Sequence, residues 1–216
     1  MSLSSQPDCI GIVLAGGQSS RMGQDKSQLE TLNNQSMLDF SRSLLKSIGI
    51  NHVVISGTKQ GIADTVQHLG PVAGIYSVMS SQACKAALII PVDLPLMTPD
   101  VLANLKHAGE LSQKATYYTN HALPLYLPNN VFTDMYFKQQ FSQHTAAPNK
   151  RVETSRFDQT CPGQSKNKKN GPSMKAMLSS MPHQAIRCQA PSTLTNTNTP
   201  EQWRAAQQQL NLIRSA

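Results

Sequence analysis

A short apolar run followed at once by a glycine-rich basic loop is the feature that most constrains this chain. Residues Cys9 to Leu14 are rich in branched apolar side chains, which is typical of a buried strand. The next residues, 15–26, read AGGQSSRMGQDK. Glycines let backbone N–H groups approach a ligand closely, and successive N–H groups form a concavity that binds anions. Arg21 and Lys26 add positive charge, so the pattern predicts a phosphate site at the carboxyl end of the strand.

The spacing of this loop differs from the common phosphate-binding motifs. Neither G-x-x-x-x-G-K-[ST] nor G-x-G-x-x-G is present in it. A glycine-rich surface turn without a ligand is the alternative interpretation. An arginine, a glycine, an aspartate and a lysine follow the glycine pair at this spacing, and together they favour the phosphate site.

Residues 14–26 carry a resemblance to a known group of enzymes. The string LAGGQSSRMGQDK resembles the pattern L-A-G-G-x-S-x-R-M-G-x-D-K of a nucleotidyltransferase superfamily. Within that superfamily the chain most resembles the molybdenum cofactor guanylyltransferase family, through Gly70 to Ile75 and Asn196 to Pro200. The resemblance implies one nucleotidyltransferase domain over residues 1–216, an α/β fold of three α/β/α layers around a mostly parallel, Rossmann-like sheet.

The residue patterns predict the same alternation of strands and helices. Strand, loop, helix and strand in succession indicate parallel crossover units. The predicted strands are Cys9–Leu14, His52–Ser56, Ala86–Ile90, Ala115–Thr119, Leu123–Leu127 and Ala185–Cys188. The predicted helices are Met37–Ile48, Ile75–Met79, Pro99–Ala108, Val131–Phe141, Met174–Met181 and a final helix starting at Thr199-Pro200-Glu201.

Asp93 ends a predicted buried strand and lies between two prolines in the string PVDLP, residues 91–95. An acid at the carboxyl end of a central parallel strand lies where open sheets bind ligands. Mg²⁺ keeps several waters and needs only one or two carboxylates beside the substrate phosphates. The alternative is a carboxylate that caps a turn or pairs with Arg21. In the family that the chain resembles, P-x-D-x-P is the metal-binding element, which favours Asp93 as the Mg²⁺ ligand.

Asn196 and Asn198 alternate just before the final helix, so in an extended chain both amides point the same way. Paired amides can bind a pterin, a ribose or a metal-bound water. Asparagine also favours turns before helices, which is the alternative interpretation. The N-x-N-T-P string matches a family element, and the resemblance implies that both residues bind the acceptor.

The resemblance also implies a reaction and a set of site residues. The reaction is the transfer of GMP from GTP to molybdopterin, with Mg²⁺ bound and pyrophosphate released. Two alternatives stay open: a cytidylyltransferase acting on molybdopterin or another phosphate acceptor, and a non-catalytic nucleotide-binding relative that scaffolds cofactor delivery. The implied catalytic residues are Arg21, Lys26 and Asp93, and the implied nucleotide-binding residues are Leu14, Ala15, Gly16, Gly17, Lys26, Ser56, Asp64, Gly74 and Asp93.

Three positions depart from the family pattern. Ser56 stands where the family often has asparagine near the guanine, and the segment after it is shortened, with Asp64 as the equivalent of an acidic guanine contact. Residues 34–36, Asn-Gln-Ser, replace a frequent G-x-P turn. These departures leave the choice of base open.

Charge and composition bear on partners and location. The formal net charge is +7, and residues 144–175 hold seven Lys and Arg against two acids. We therefore predict a mobile basic insertion at 143–170, either merely solvated or attracting an anionic pterin phosphate or an acidic protein. The low aromatic content, 5%, argues against nucleic-acid binding.

The sequence also bears on compartment and on other proteins. It contains no long apolar stretch and no signal-peptide pattern, so we expect a cytoplasmic protein without membrane contact. Four cysteines without a C-x-x-C pair argue against a zinc site or a disulfide framework. A monomer is expected. The resemblance implies transient contacts with other molybdenum cofactor biosynthesis proteins and with acceptor molybdoenzymes.

Overall fold

The computed structural model describes residues 7–15, 35–57, 61–62, 70–142 and 171–215. Strands and helices alternate along most of this part of the chain. The strands are β1 Cys9–Leu14, β2 Val53–Ser56, β3 Ala86–Pro91, β4 Ala115–Tyr118, β5 His121–Pro128 and β6 His183–Ile186. The helices are α1 Met37–Ser47, α2 Pro71–Ser81, α3 Pro99–Ser112, α4 Val131–Phe141, α5 Met174–Ser179 and α6 Pro200–Ser215, with a short 3-10 helix at Pro191–Leu194.

The six described strands form one sheet in the order β2-β1-β3-β5-β4-β6. β1 is parallel to both β2 and β3, and β4 is parallel to β6. β5 is antiparallel to β3 and β4, so it is the one reversed strand among those described. The predicted mostly parallel sheet is therefore confirmed. The carboxyl ends of β1, β2, β3, β4 and β6 lie at one edge of the sheet, and β5 begins there.

Helices cover both faces of the sheet because the strand side chains alternate. On β1, Ile10 and Ile12 join the apolar cluster under α2, α4 and α5, while Val13 faces the cluster under α1 and α3. All three side chains are fully buried. Two cores on opposite faces of one sheet give the three-layer α/β/α arrangement that the sequence predicts.

Helix α2 begins four residues earlier than the sequence pattern indicates. Gly70 adopts φ +77° just before the helix, a backbone conformation that residues with a side chain rarely adopt. Pro71 then takes the first helical position, where its missing N–H costs nothing. The Gly70-Pro71 pair is therefore the start of the helix.

The β4–β5 hairpin is tighter than predicted. β5 begins at His121, a residue assigned to the turn from sequence, and the connection is reduced to Thr119 and Asn120. Asn120 adopts φ +68°, which asparagine tolerates better than most residues. Tyr118 donates a 2.6 Å hydrogen bond from its hydroxyl to the carbonyl of Val101 in α3, and burial raises the Tyr118 pKa to about 12. The hairpin is thereby attached to α3 by a neutral phenol.

Strand β6 begins at His183, two residues before the predicted start. The β4 register pairs Ala115 with His183, and the next residue, Gln184, supplies an additional anchor. Its side-chain nitrogen donates to the carbonyl of Ala108, the hydroxyl of Ser112 and the hydroxyl of Thr116, at 3.2, 2.8 and 3.1 Å. These long-range hydrogen bonds set the start of β6. The sequence pattern around β6 contains no information about them.

Ser36 is the N-cap of helix α1. Its hydroxyl oxygen accepts a 3.1 Å hydrogen bond from the backbone N–H of Asp39, the usual geometry of a helix N-cap. The Ser36 hydroxyl also donates to the Asp39 carboxylate at 2.7 Å. A capping serine therefore fixes the start of the helix.

Two further sequence expectations concern membranes and cysteines. No helix in the described ranges is both long and apolar enough to cross a membrane. Cys9, Cys84 and Cys188 are free thiols, and Cys161 lies outside the described residues. Burial raises the Cys9 pKa to about 12. Cys84 is thus a buried neutral thiol, and Cys9 is a partly buried one.

We predict that Gly109→Ala destabilises the protein. Gly109 is the point where α3 packs on the ring of Tyr126, and an added Cβ would overlap that ring. Overpacking of this kind costs about 1–3 kcal/mol, which exceeds the ~1 kcal/mol that alanine gains over glycine in a helix. Urea unfolding measures the difference, with Asn104→Ala at an exposed position of α3 as the matched control. Equal or higher stability of Gly109→Ala would contradict the packing described.

Candidate nucleotide and acceptor site

Three strand ends meet at the edge of the sheet where the sequence predicts the phosphate site. The backbone N–H of Ala15 donates to the carbonyl of Ser56 at 3.0 Å, and the N–H of Val92 donates to the carbonyl of Leu14 at 3.2 Å. The parallel register places Leu14 opposite both Ser56 and Pro91. The predicted residues Leu14, Ala15, Ser56 and Asp93 are therefore gathered within two residues of three adjacent strand ends.

Asp93 lies in the turn directly after β3, and closely packed apolar residues surround this turn. Its neighbours Val92, Leu94, Leu96 and Met97 are all buried, which holds the turn against the core under α1 and α3. The Asp93 side chain is half-buried, and its Oδ1 atom is out of contact with solvent. The turn thus holds one carboxylate at the ligand-binding edge of the sheet.

The C-terminal segment before α6 reaches this turn. Both the backbone N–H and the hydroxyl of Thr197 donate to the carbonyl of Asp93, at 3.0 and 3.3 Å. Thr197 is only 2% exposed, whereas Asn196 and Asn198 on either side of it are exposed. The alternation expected for the two amides is present, and the structure brings their segment next to Asp93.

A capping arrangement fixes the other end of the same segment. The side-chain oxygen of Gln202 accepts hydrogen bonds from the N–H groups of Asn198 and Thr199, at 2.7 and 3.2 Å. In return, the hydroxyl of Thr199 accepts a 3.3 Å hydrogen bond from the N–H of Gln202. The spacing T-x-x-Q at 199–202 is a capping box, a signal that identifies Gln202 from sequence and that the sequence analysis missed.

Ser56 and Gly74 are both buried, so neither residue offers a side chain to a ligand at the surface. The Ser56 side chain is 2% exposed at the end of β2. Gly74 is buried in the second half of the first turn of α2. Gly57, directly after Ser56, adopts φ +86° and turns the chain at the edge of the sheet. The Ser56 side chain is therefore withdrawn from the surface of this edge.

Five of the predicted site residues fall outside the part of the chain that the structure describes. These are Gly16, Gly17, Arg21, Lys26 and Asp64. The basic segment 143–170 falls outside it as well. Their assigned roles stay predictions.

The described residues hold no group of three or more His, Cys, Asp or Glu side chains that could form an all-protein metal site. A single carboxylate is nevertheless a suitable donor for Mg²⁺, which keeps water ligands and shares substrate phosphates. Asp93, at the carboxyl end of β3, supplies such a carboxylate. The donor set therefore fits a magnesium ion that arrives with a nucleotide.

Comparison with known proteins identifies the group to which this fold and site belong. Residues 11–145, more than half of the chain, match the family model described as MobA-like NTP transferase domain. The molybdenum cofactor guanylyltransferase of Xanthomonas euvesicatoria pv. vesicatoria is 38% identical over 121 residues, which are 54% of this chain and 62% of that protein. The molybdenum cofactor guanylyltransferase of Yersinia pestis strain Pestoides F is 28% identical over 110 residues, 46% of this chain and 56% of that protein. The matches thus span less than two thirds of either relative.

Solved structures extend the likeness to nearly the whole chain. The molybdopterin-guanine dinucleotide biosynthesis protein A of Archaeoglobus fulgidus superposes with a TM-score of 0.65 at 14% identity, covering 93% of this chain and 98% of that one. The 2-C-methyl-D-erythritol 4-phosphate cytidylyltransferase of Thermus thermophilus gives 0.58 at 9% identity, with coverage of 92% and 97%. The likeness shows that the chain shares the fold of these two proteins. The chain belongs to the MobA-like NTP transferase domain family.

We predict that Glu201, in the first turn of α6, stabilises the site segment in a pH-dependent way. Hydrogen bonds from its own backbone N–H and from the Thr199 side chain hold its pKa below the ordinary value of 4.5. A carboxyl whose pKa is lower in the folded state stabilises it above the unfolded pKa and loses that effect as pH falls through the folded pKa. In urea unfolding, Glu201→Gln should therefore lower stability at pH 7, and its difference from the unmodified protein should shrink as pH falls through the folded-state pKa of Glu201. A difference that grows towards acid would contradict this account.

Proposed function

We propose that the protein transfers GMP from GTP to the phosphate of molybdopterin and releases pyrophosphate. Family membership supports the nucleotidyl transfer, and the names of the two relatives suggest the guanine nucleotide and the acceptor. The observation that carries the proposal is the position of Asp93. It lies between the end of β1, which leads into the glycine loop, and the segment that presents Asn196 and Asn198.

The proposed reaction needs charge neutralisation and alignment more than it needs a base. An oxygen of the acceptor phosphate forms a new bond to the α-phosphorus of GTP. The bond from that phosphorus to the bridging oxygen breaks, and pyrophosphate leaves with the electron pair. Because the nucleophile is already an anion, no proton has to be removed, and rate depends on in-line placement of crowded negative groups.

The glycine loop would do most of this work on the nucleotide side. Its backbone N–H groups at Gly16 and Gly17 would bind phosphate oxygens where β1 ends. Arg21 would donate hydrogen bonds to two phosphate oxygens, and Lys26 would stabilise the negative charge that develops on the leaving pyrophosphate. Asp93 would hold Mg²⁺, which when bound neutralises the phosphates as a Lewis acid.

The acceptor would lie on the other half of the edge. Adjacent strands are about 4.8 Å apart, so the three steps from β3 to β6 span about 14 Å along the edge beside Asp93. Asn196 and Asn198 are exposed on a segment that contacts Asp93, and Arg187 follows directly on β6. Amides suit a pterin ring, and a cation suits an anionic phosphate, so this half fits an acceptor that carries both.

The base would be bound near the end of β2. With the Ser56 side chain buried, we infer that the base meets the backbone of the Ser56–Gly57 turn and the residues near Gly74. Asp64 would accept hydrogen bonds from the guanine ring. A cytosine could use the same turn, which keeps the cytidylyltransferase alternative open.

We also propose where the protein acts and which other proteins it contacts. A cytoplasmic monomer would receive molybdopterin from other cofactor biosynthesis proteins and pass its product to acceptor molybdoenzymes through transient contacts. The basic segment 143–170 would favour acidic partners in these encounters.

We predict that Asp93→Asn and Lys26→Ala each lower kcat about 100-fold or more without unfolding the protein. Lys26→Ala removes a positive charge that would neutralise the transition state, and Asp93→Asn removes the negative charge that would hold Mg²⁺. Single groups of this kind contribute about 10²–10³ in rate. The measurement is GMP transfer to molybdopterin with Mg²⁺, next to a thermal melt of each variant. Lys175→Ala, an exposed lysine on α5, is the matched control and should leave kcat unchanged. Normal turnover by Lys26→Ala would refute the assignment.

We predict that GTP with Mg²⁺ raises the melting temperature more than CTP does. A ligand that binds only the folded state at 100 times its Kd stabilises by about 2.7 kcal/mol. A larger shift with CTP would favour the cytidylyltransferase alternative. A shift with GTP but no transfer to molybdopterin would favour the non-catalytic alternative.

A further inference from the structure

We propose that Thr197 is a positioning residue that couples the divalent-ion carboxylate of Asp93 to the acceptor-binding amides of Asn196 and Asn198. The proposal rests on the proposed function for the roles of those three residues. Its own content is that magnesium nucleotide and acceptor are bound cooperatively, through the contact between Thr197 and the Asp93 carbonyl.

The contact joins the two halves of the site directly. The N–H and the hydroxyl of Thr197 converge on one oxygen, the carbonyl of Asp93, at 3.0 and 3.3 Å. A carbonyl oxygen has two lone pairs, so both bonds are satisfied together. The carbonyl and the carboxylate belong to the same residue in a short turn, so a shift of the Asp93 backbone moves the carboxylate and Thr197 together.

The opposite end of the segment is held equally firmly. Gln202 accepts the N–H of Asn198, the residue next to Thr197, at 2.7 Å. Gln202 belongs to α6, whose Ala206 is 5% exposed and whose Trp203 packs against the apolar cluster under α1 and α3. Consecutive Cα atoms are only about 3.8 Å apart, so Asn198 has no slack between the Asp93 turn and α6.

Placement between two anchors makes the two binding events interdependent. When an ion and a nucleotide fix the Asp93 turn, they also fix the segment that carries the amides. By thermodynamic linkage, the factor by which magnesium nucleotide increases the affinity for the acceptor equals the factor by which the acceptor increases the affinity for magnesium nucleotide. The buried hydroxyl of Thr197 is the part of this connection that a substitution can remove, because the backbone N–H stays in place.

Thr197→Val tests the proposal with little risk to the fold. Valine has the shape of threonine, keeps the N–H donor to Asp93 and leaves the carbonyl satisfied. Thr195→Val makes the same chemical change two residues away at an exposed position and is the matched control. Thr197→Ser, which keeps the hydroxyl, is the rescue variant.

The first readout is independent of activity. In ¹⁵N-labelled full-length protein, addition of Mg²⁺ and GTP should shift the side-chain amide resonances of Asn196 and Asn198. We expect this shift in the unmodified protein, in Thr195→Val and in Thr197→Ser, and a clearly smaller one in Thr197→Val. Resonances that do not respond in the unmodified protein, or that respond equally in Thr197→Val, overturn the proposal.

The second readout separates positioning from a merely structural role. One hydrogen bond corresponds to about 2- to 10-fold in affinity. Thr197→Val should therefore raise the acceptor KM and the Mg²⁺ concentration for half-maximal rate by about that factor, with an unchanged melting temperature. Loss of thermal stability with unchanged KM values overturns the proposal. If the unmodified protein transfers no GMP, the proposed function fails, while the amide resonances still decide the coupling.

Discussion

A series of main-chain hydrogen bonds across the carboxyl edge of the sheet is the constraint on which the rest of this structure depends. Ser56 accepts from Ala15, Leu14 accepts from Val92, and Asp93 accepts from Thr197. Four segments that are remote in sequence are tied in this way by atoms that every residue type carries. The parallel pairing of β1 with β2 and β3 makes the series possible, because it brings their carboxyl ends to one line.

This arrangement separates the work of the core from the work of the edge. The buried side chains of β1 and β3 hold the three layers together, while the residues that would touch substrates follow the strand ends and use the strands as a rigid base. Asp93 illustrates the division. Its neighbours Val92 and Leu94 are buried in the core, and the carboxylate between them is left at the edge.

Much of the fold could be predicted from the sequence because its signals are local. The branched apolar run at Cys9–Leu14 and the helix Val131–Phe141 have the predicted bounds, and the alternation of Asn196 and Asn198 around a buried threonine is as expected. The errors lie where distant contacts decide. β6 begins at His183 because β4 and α3 bind it there, and no local pattern contains that information.

The candidate site was partly predictable for a similar reason. Asp93 could be identified from its place after an apolar strand and between prolines. The contact from Thr197 to Asp93 could not, since it joins residues 104 positions apart and its donors are a backbone amide and a common hydroxyl. The predicted start of helix α2 is too late, because Gly70 adopts a positive φ that a sequence does not display.

The pairing of β6 with β4 also has a consequence for the order in which the molecule is completed. β1, α1 and β2 can join as soon as about fifty residues exist, whereas Ala115 must wait for His183 before their pairing can form. The entropy cost of closing a loop rises only slowly with its length. The long separation between Ala115 and His183 therefore delays the pairing of β4 with β6 more than it weakens that pairing. During synthesis the half of the edge formed by β1, β2 and β3 can therefore pair well before the half formed by β4 and β6.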